Sequence, residues 1–549
     1  MLYNLLAMKI FTAAIFTFLA CAPVATAQWN PAGRQYGKTD SRDLRVMTWN
    51  VWDTICSTST TKIEGLNDWC AAARIVAAIK PDVLILQEVG DNDGNGTGTG
   101  VDSVVNLTTT IGLFLRGGSD PFRANAAVTA YVQKYAATYD LPYVFVSDQN
   151  DGFNRNVILS RYPFTDLTGD TRTAVGTFFS GADLYAPGGN GGIRGFAFAE
   201  INLPDGQYAG DLVIGCAHLK SGGTTQDFAD RLTAAQNTAY YIDYLFNGGG
   251  GATPDPRNRI FDGPAATRVL GPTTPVIIGG DWNEDENSNG RDGPAVWLTR
   301  AAGGADDGTD RDRSNMLYDD ARDIFNSNSR NTQGSSKLDY LAWQDSIATL
   351  RRAVLFVSGS MNTNTYPTEL IGLSAPSTAS SLASDHRPII ADYILPAPVA
   401  PGTFTLTSPT QGATVQPLTP TLAWSTSTGA ATYTLSVSLS PTLASPLYTT
   451  SVTFTSHEVP SGVLATCQTY YWGVTAVNGA GSTNSTPLAF SFDTYRPADF
   501  NADGSIDFFD YLDFVAAFSN GDANADFNGD TSIDFFDYLD FVAAFSQGC

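Results

Sequence analysis

Two of the three histidines in this chain sit in short polar segments that abut apolar runs. His218 lies in Ala217-His218-Leu219-Lys220-Ser221-Gly222, directly after the apolar stretch from Leu212. His386 lies in Ser384-Asp385-His386-Arg387-Pro388, directly before Ile389-Ile390. Imidazole titrates near neutrality, so two such groups at element ends are candidates for moving protons. Carboxylates and amides recur at similar places. Asn50 ends Arg45–Asn50, Glu88 follows Val83–Gln87, Asp281 and Asn283 follow Val276–Gly280, and Asp339 sits in Lys337–Leu341. Taken singly, each has an ordinary explanation: a solvated strand end, a loop cap or an ion-pair partner. Together they offer oxygen donors and proton carriers, the side chains of metal-assisted hydrolysis.

These residues need strands to present them. The runs Leu44–Trp49, Val83–Leu86, Tyr143–Val146, Val157–Leu159, Leu212–Cys216 and Val276–Ile278 have β-strand length and composition. Helical patterns lie between them at Ala71–Ile79 and Arg231–Phe246. The alternation predicts an α/β domain with a large core up to about residue 395. Gly-rich stretches at Asp91–Gly100, Gly248–Gly251 and Ala301–Arg313 read as surface loops.

The ordered set Trp49-Asn50-Val51, Gln87-Glu88-Val89, His218-Leu219, Gly280-Asp281-Trp282-Asn283, Leu338-Asp339-Tyr340 and Ser384-Asp385-His386 resembles the endonuclease/exonuclease/phosphatase superfamily, the DNase I-like group. The resemblance spans about residues 42–395. It implies a four-layer α/β (α+β) sandwich of two mixed β-sheets flanked by helices, with the site where strand ends meet. It also implies roles. Glu88 ligates a divalent cation, with Asn50 and Asp385 supporting the metal or its waters. Mg²⁺ suits such an oxygen-rich site, and Mn²⁺ can substitute. His386 is the general base, and Asp339 holds its other ring nitrogen. Asp281 and Asn283 orient the water and the phosphoryl oxygen, and His218 binds or protonates phosphate on the leaving side. The segment Phe153-Asn154-Arg155-Asn156 resembles the DNase-like stretch that carries a phosphate-contacting arginine. It makes Arg155 a substrate-binding candidate, and Lys220 beside His218 is another.

The chain of 549 residues is too long for one core, and its net charge is −24. Long-range attraction to nucleic acid is therefore excluded as a driving force; a polyanion must be admitted locally, by cations and a few basic side chains. The N-terminus reads as an export signal over residues 1–27. Met8 is the expected true start, Lys9 precedes the apolar run Ile10–Leu19, and Ala25-Thr26-Ala27 is the cleavage site before Gln28. Cys21 in Phe18-Leu19-Ala20-Cys21 makes a poor lipobox. No later stretch is apolar enough to span a membrane, so the expectation is a secreted or periplasmic protein. Of the cysteines left after cleavage, Cys56 and Cys70 are close enough in sequence to pair in an oxidising compartment, and Cys216 reads as a buried thiol.

Two further segments follow the domain at 28–395. Residues 396–402 form a Pro-rich linker. From 403 to 494, Ser and Thr dominate and alternating runs such as Thr432–Val437 recur at sandwich spacing, with Trp424, Tyr433, Tyr471 and Trp472 available for a core. This segment resembles a fibronectin type III module, an all-β sandwich. His457 falls here and reads as a surface residue. In the last segment, 496–549, Ser505–Ser519 and Ser532–Ser546 are identical. Each copy follows a stretch with hard oxygen donors at alternate positions: Asp499, Asn501, Asp503, Ser505, Asp507 and Asp510, then Asp526, Asn528, Asp530, Ser532, Asp534 and Asp537. That spacing is a calcium loop. Gly504 supplies the turn in the first copy, and Thr531 stands there in the second. With Asp at the last position, the pair resembles a dockerin, a small all-α tandem EF-hand. It implies bound Ca²⁺ and a cohesin-like or cell-surface partner.

Three functions compete on the sequence. The first is a secreted metal-dependent phosphodiesterase, an endonuclease with nucleic acid as substrate. The second is a sphingomyelinase-like lipid phosphodiesterase or small-molecule phosphatase, although no exposed aromatic hairpin for lipid access is evident. The third is an assembly protein on an inactive enzyme fold, which the intact polar set opposes.

Overall fold

The computed structural model describes residues 29–56, 62–90, 101–150, 154–168, 174–178, 196–242, 270–299 and 316–549. The expected export signal, Phe153 and the three Gly-rich stretches lie outside them.

Among the described residues, twelve strands build the two main sheets of the first domain: β1 (Leu44–Asn50), β2 (Val83–Val89), β3 (Tyr143–Val146), β4 (Arg155–Ser160), β5 (Val175–Phe178), β6 (Phe196–Ile201), β7 (Leu212–His218), β8 (Val276–Asp281), β9 (Met316–Tyr318), β10 (Asp339–Gln344), β11 (Thr349–Leu355) and β12 (Ile389–Ile394). They form two six-stranded sheets, ordered β11-β12-β1-β2-β4-β3 and β9-β10-β8-β7-β6-β5. Both are mixed. β1 runs parallel to β2 and antiparallel to β12, and β7 runs parallel to β8, which is antiparallel to β10. The expected strands are all present, several extended by one to three residues to include the polar groups at their ends.

The sheets pack face to face through Val46, Ile85, Ile158, Ile214, Ile277 and Leu341, all wholly buried. Gly279 sits at that seam, where a Cβ would come within 3.0 Å of Ile85 and 3.2 Å of Thr48 in the opposite sheet. The glycine therefore sets how closely the sheets approach just before Asp281. Gln87 bridges the seam, donating to Thr48 Oγ1 at 3.2 Å and Cys216 Sγ at 3.3 Å. On the outer face of the first sheet lies the helix Asp68–Ile79, whose side chains are nearly all buried and whose N-terminus is capped by Asn67. The helix expected from Arg231 begins earlier, at Thr225, and is described to Tyr241.

Beyond the linker, residues 406–494 form a three-stranded and a six-stranded sheet around Trp424, Tyr433, Leu435 and Trp472. The linker's carbonyls are tied down: Pro396 accepts from Ala209 N–H at 2.9 Å and Val399 from Asn478 at 2.8 Å. Two helices close the chain, Phe508–Asn520 and Phe535–Gln547, with Phe514 stacked on Phe541 at 3.9 Å between ring centroids.

The disulfide corrects the expectation for Cys56 and Cys70. It joins Cys467 to Cys549, whose Cα atoms are 5.5 Å apart, whereas Cys56 and Cys70 are buried thiols in the core of the first domain.

Candidate active site

The strand ends converge as the sequence order implies. His218 is the register partner of Asp281 on the parallel neighbour β8, and Asp281 is in turn opposite Asp339 on β10. Directly opposed residues share one face of a sheet, so three functional side chains stand in a row across β7, β8 and β10. Asn50 and Glu88 arrive from the ends of β1 and β2 in the other sheet, and His386 from the segment just before β12.

Asp281 is the hub. Its Oδ2 accepts from Asn50 Nδ2 at 3.0 Å and lies 3.4 Å from His218 Nε2 and 3.6 Å from His386 Nε2. Its Oδ1 accepts from Asn283 N–H at 2.9 Å. Burial pushes the carboxyl up to about 7; His386 and the Asn50 amide oppose the rise, and Asp339 and Glu88 add to it. His218 Nε2 is also 3.7 Å from Glu88 Oε1, so Glu88, His218 and Asp281 offer three converging donor atoms.

His386 is gripped from four sides. Its Nδ1 meets Asp339 Oδ2 at 2.8 Å, its N–H donates to Ser384 Oγ at 2.9 Å, its carbonyl accepts from Trp49 Nε1 at 3.2 Å, and it bridges to Gln333. Burial pulls the imidazole down, but the carboxylates of Asp339, Asp281 and Asp385 outweigh it and push it up to about 10. Those carboxylates favour the imidazolium of His386, and a cation beside them would offset the push. That tempers its expected role as base.

The backbone is unusual at these positions. Glu88 and Asn283 adopt φ of 54° and 56°, the left-handed region that non-glycine residues seldom enter. Glu88 lies in the register break of β2 between Leu86 and Val89, and Asn283 lies two residues past the end of β8.

The structure also shows how the remaining predicted residues are used. Asn283 donates its amide N–H to Leu219 O at 3.1 Å, tying the ends of β7 and β8 together. Asp385 Oδ2 accepts from Gln333 Nε2 at 2.9 Å. Arg155, the expected phosphate contact, sits in the wall of the first domain. It is 8% exposed, and its guanidinium donates to the carbonyls of Asp102 at 3.0 Å, Ser147 at 3.0 Å and Asp148 at 2.6 Å. It braces loops. Lys220 likewise pairs with Asp227 at 3.4 Å and donates to Ser221 O at 2.8 Å.

Sequence reasoning missed the supporting side chains. Ser384 Oγ donates to Asn50 O at 2.6 Å while accepting from His386 N–H, so one hydroxyl couples two strand ends. Thr332 Oγ1 accepts from Leu338 N–H and Asp339 N–H, and its carbonyl accepts from Arg387 N–H. Ser384 adjoins the Asp-His pair and was open to notice; Thr332 and Gln333 carry no local signal. Ser384→Ala should cost about 1–3 kcal/mol, because it leaves a buried carbonyl and a buried N–H without partners. Urea denaturation measures this, and an unchanged midpoint would show the hydroxyl to be dispensable.

The donor set suits a hard divalent cation. Its members are chiefly carboxylate and amide oxygens with one imidazole. Asp339 Oδ1 and Asp385 Oδ1 are buried and lack a hydrogen-bond partner among the described residues. Buried carboxylate oxygens left in that state call for a cation, a water or a protonated substrate group.

Residues 47–386 match the Endonuclease/Exonuclease/phosphatase family. No curated protein matches the chain. Similar solved structures include an endonuclease/exonuclease/phosphatase from Beutenbergia cavernae DSM 12333, 16% identical, covering 81% of this chain and 100% of that one with a TM-score of 0.34. The human Nocturnin catalytic domain is 16% identical over 64% of this chain and 95% of its own, with a TM-score of 0.34. A mannosyl-6-phosphatase, Bt3783 of Bacteroides thetaiotaomicron VPI-5482, is 10% identical over 64% and 99%, also with a TM-score of 0.34.

Proposed function

This chain belongs to the endonuclease/exonuclease/phosphatase family, whose members are hydrolases acting on phosphoester bonds, and from that premise we propose a secreted, divalent-metal-dependent phosphodiester hydrolase, an endonuclease acting on DNA or RNA. The observation that carries the proposal is Asp281 standing between His218 and His386, with Asp339 behind the second histidine.

Glu88 and Asp281 would hold the cation, with His218, Asn50 and Asp385 in support. Bound there, Mg²⁺ or Mn²⁺ would neutralise phosphoryl oxygens and acidify water. The chain's own residues do the rest. Asp339 fixes the ring of His386 and its tautomer, leaving Nε2 to exchange a proton with the attacking water or hydrogen-bond the phosphoryl group. Asp281 and Asn283 position that water. His218, on the neighbouring strand, faces the leaving oxygen. Each proton-transfer group of this kind is typically worth about 10²–10⁴ in rate.

The net charge of −24 means that the substrate is admitted by the cation rather than by a basic surface. Secretion is supported by the Cys467–Cys549 disulfide, since such bonds persist in oxidising compartments. We read residues 403–494 as a fibronectin type III-like spacer and 496–549 as a dockerin-like calcium module with a cohesin-like or surface partner. The two loops share one bonding pattern. Asp499 accepts from the N–H groups of Asp503 and Gly504, and Asp526 from those of Asp530 and Thr531. Thr531 holds φ of 73° where Gly504 holds 89°, a strain of about 1 kcal/mol at that turn. Both copies also expose the same apolar pair, Phe508-Phe509 and Phe535-Phe536.

The protein should be given plasmid DNA, RNA, sphingomyelin and a phosphomonoester with Mg²⁺, then with EDTA. Nucleic-acid cleavage that EDTA abolishes is expected, and cleavage of lipid alone would refute the nuclease proposal. For the tail, calcium titration of the full chain should protect residues 496–549 from protease; unchanged digestion would reject calcium binding.

A further inference from the structure

Trp52 stands apart from the other large aromatic side chains near the site. Trp49, Trp69 and Trp282 are wholly buried, yet Trp52, two residues beyond Asn50, is 57% exposed. An exposed indole forgoes the burial that normally justifies so large a side chain. Its backbone is also in an uncommon state. Trp52 and Asp53 follow one another in the left-handed region, at φ 44° and 61°. For a bulky residue this conformation is unfavourable, and it persists only where the surroundings over-determine it.

The surroundings here are the site itself. Trp52 N–H donates to Asn50 Oδ1 at 3.0 Å, the same amide whose nitrogen holds Asp281. Asp53 N–H donates to the carbonyl of Glu88 at 3.1 Å, and Val51 N–H to that of Gln87 at 3.0 Å. Thr54 and Cys56 close the loop onto Val51 and Asp53 at 3.0 and 2.8 Å. The peptide groups on both sides of Trp52 are thus bolted to the candidate metal-holding residues of two strands. The uncommon backbone thus carries an exposed indole on a loop whose peptide groups are tied to Asn50 and Glu88.

We propose that Trp52 is a substrate-binding residue that stacks on a nucleobase next to the scissile phosphate. The inference rests on the nuclease proposal above and deepens it. A flat base offers an indole a large π-face, and stacking tolerates any sequence. It also supplies attraction that needs no positive charge, which suits a chain of net charge −24. Trp52 would act on binding rather than on chemistry, since an indole N–H only donates a hydrogen bond and does not exchange its proton near neutrality.

The test measures KM and kcat with Mg²⁺ on a labelled oligonucleotide, and on the same strand carrying abasic residues around the cleavage position. For Trp52→Ala, KM should rise about 5- to 150-fold with kcat little changed, which matches the stacking loss for one base. Trp52→Phe should keep most of the affinity. Wild-type protein should itself lose affinity on the abasic strand, a readout that needs no variant to fold, and the Ala variant should there equal the wild type. Wild-type KM in the Ala variant, or an equal loss on both strands, would overturn stacking while leaving the nuclease proposal standing. Wild-type hydrolysis of other phosphoesters with no cleavage of DNA or RNA would sink both.

Discussion

Replacing His386 by alanine is expected to lower kcat on a phosphodiester by about 10²–10⁴-fold, with the fold intact by circular dichroism. The site gives the reason. Asp339 binds Nδ1 at 2.8 Å, and the backbone of His386 is fixed through Ser384 and Trp49, so Nε2 has one place to go, 3.6 Å from Asp281. Asp339→Asn should cut kcat less, and it carries a readout that a merely structural residue would not move. The carboxylates push the imidazole up to about 10. With a cation held at Glu88 and Asp281 that push is partly offset, and a base must lose its proton to work, so the rate rises with pH through the ionisation of His386. Removing the Asp339 charge lowers that ionisation, and the acidic limb of the rate profile should move to lower pH. A limb that stays in place would assign it to another group. Stability follows with its own sign. A histidine raised in the folded state, against about 6.5 unfolded, contributes stability that is fully present below pH 6.5 and lost as pH rises through about 10. His386→Ala in metal-free protein should therefore lose more stability at pH 6 than at pH 10.

Much of this arrangement was legible because apolar β-branched runs stop abruptly at polar residues. Val276–Ile278 followed by Gly-Gly-Asp announces both a strand and what its end presents, and the structure adds that Gly279 is there for the opposing sheet. The order of six such ends carried the family. What stayed hidden depended on register and on distant loops. That His218 faces Asp281 requires β7 and β8 to be parallel neighbours with matched ends, which pairing decides and composition does not. Ser384 reaches Asn50 across 334 residues, and the disulfide joins cysteines 82 apart. Arg155 shows what local context leaves out, since its guanidinium donates to the loop carbonyls of Asp102, Ser147 and Asp148. A sequence records which charges are available and is silent about which are already spent.

Asp281→Asn is expected to be the most informative substitution, because it separates metal binding from chemistry. Asp281 belongs to both donor groups, Glu88–His218–Asp281 and Asp281–Asp339–His386, so its charge serves the cation and the base together. Losing it should remove several kcal/mol of transition-state stabilisation, about 10³-fold or more in kcat. Stability should move the other way. The carboxyl is raised in the folded chain from 3.8 to about 7, so its contribution is present below about pH 3.8 and lost as pH rises through about 7. At pH 8 without metal, wild-type protein carries a carboxylate that burial, with Asp339 and Glu88, disfavours more than His386 and Asn50 favour it, and the neutral asparagine relieves that. The metal-free variant should then melt at or above the wild-type temperature. Mg²⁺ reverses the order, because a ligand that binds only the folded state stabilises it by RT ln(1 + [L]/Kd). Added Mg²⁺ should raise the melting temperature of wild type markedly and that of Asp281→Asn little. Equal shifts in the two proteins would move the cation away from Asp281, whatever the activity measurements gave. A metal-free variant less stable than wild type at pH 8 would show instead that the hydrogen bonds from Asn50 and Asn283, which an asparagine accepts with one oxygen rather than two, outweigh the relief of charge.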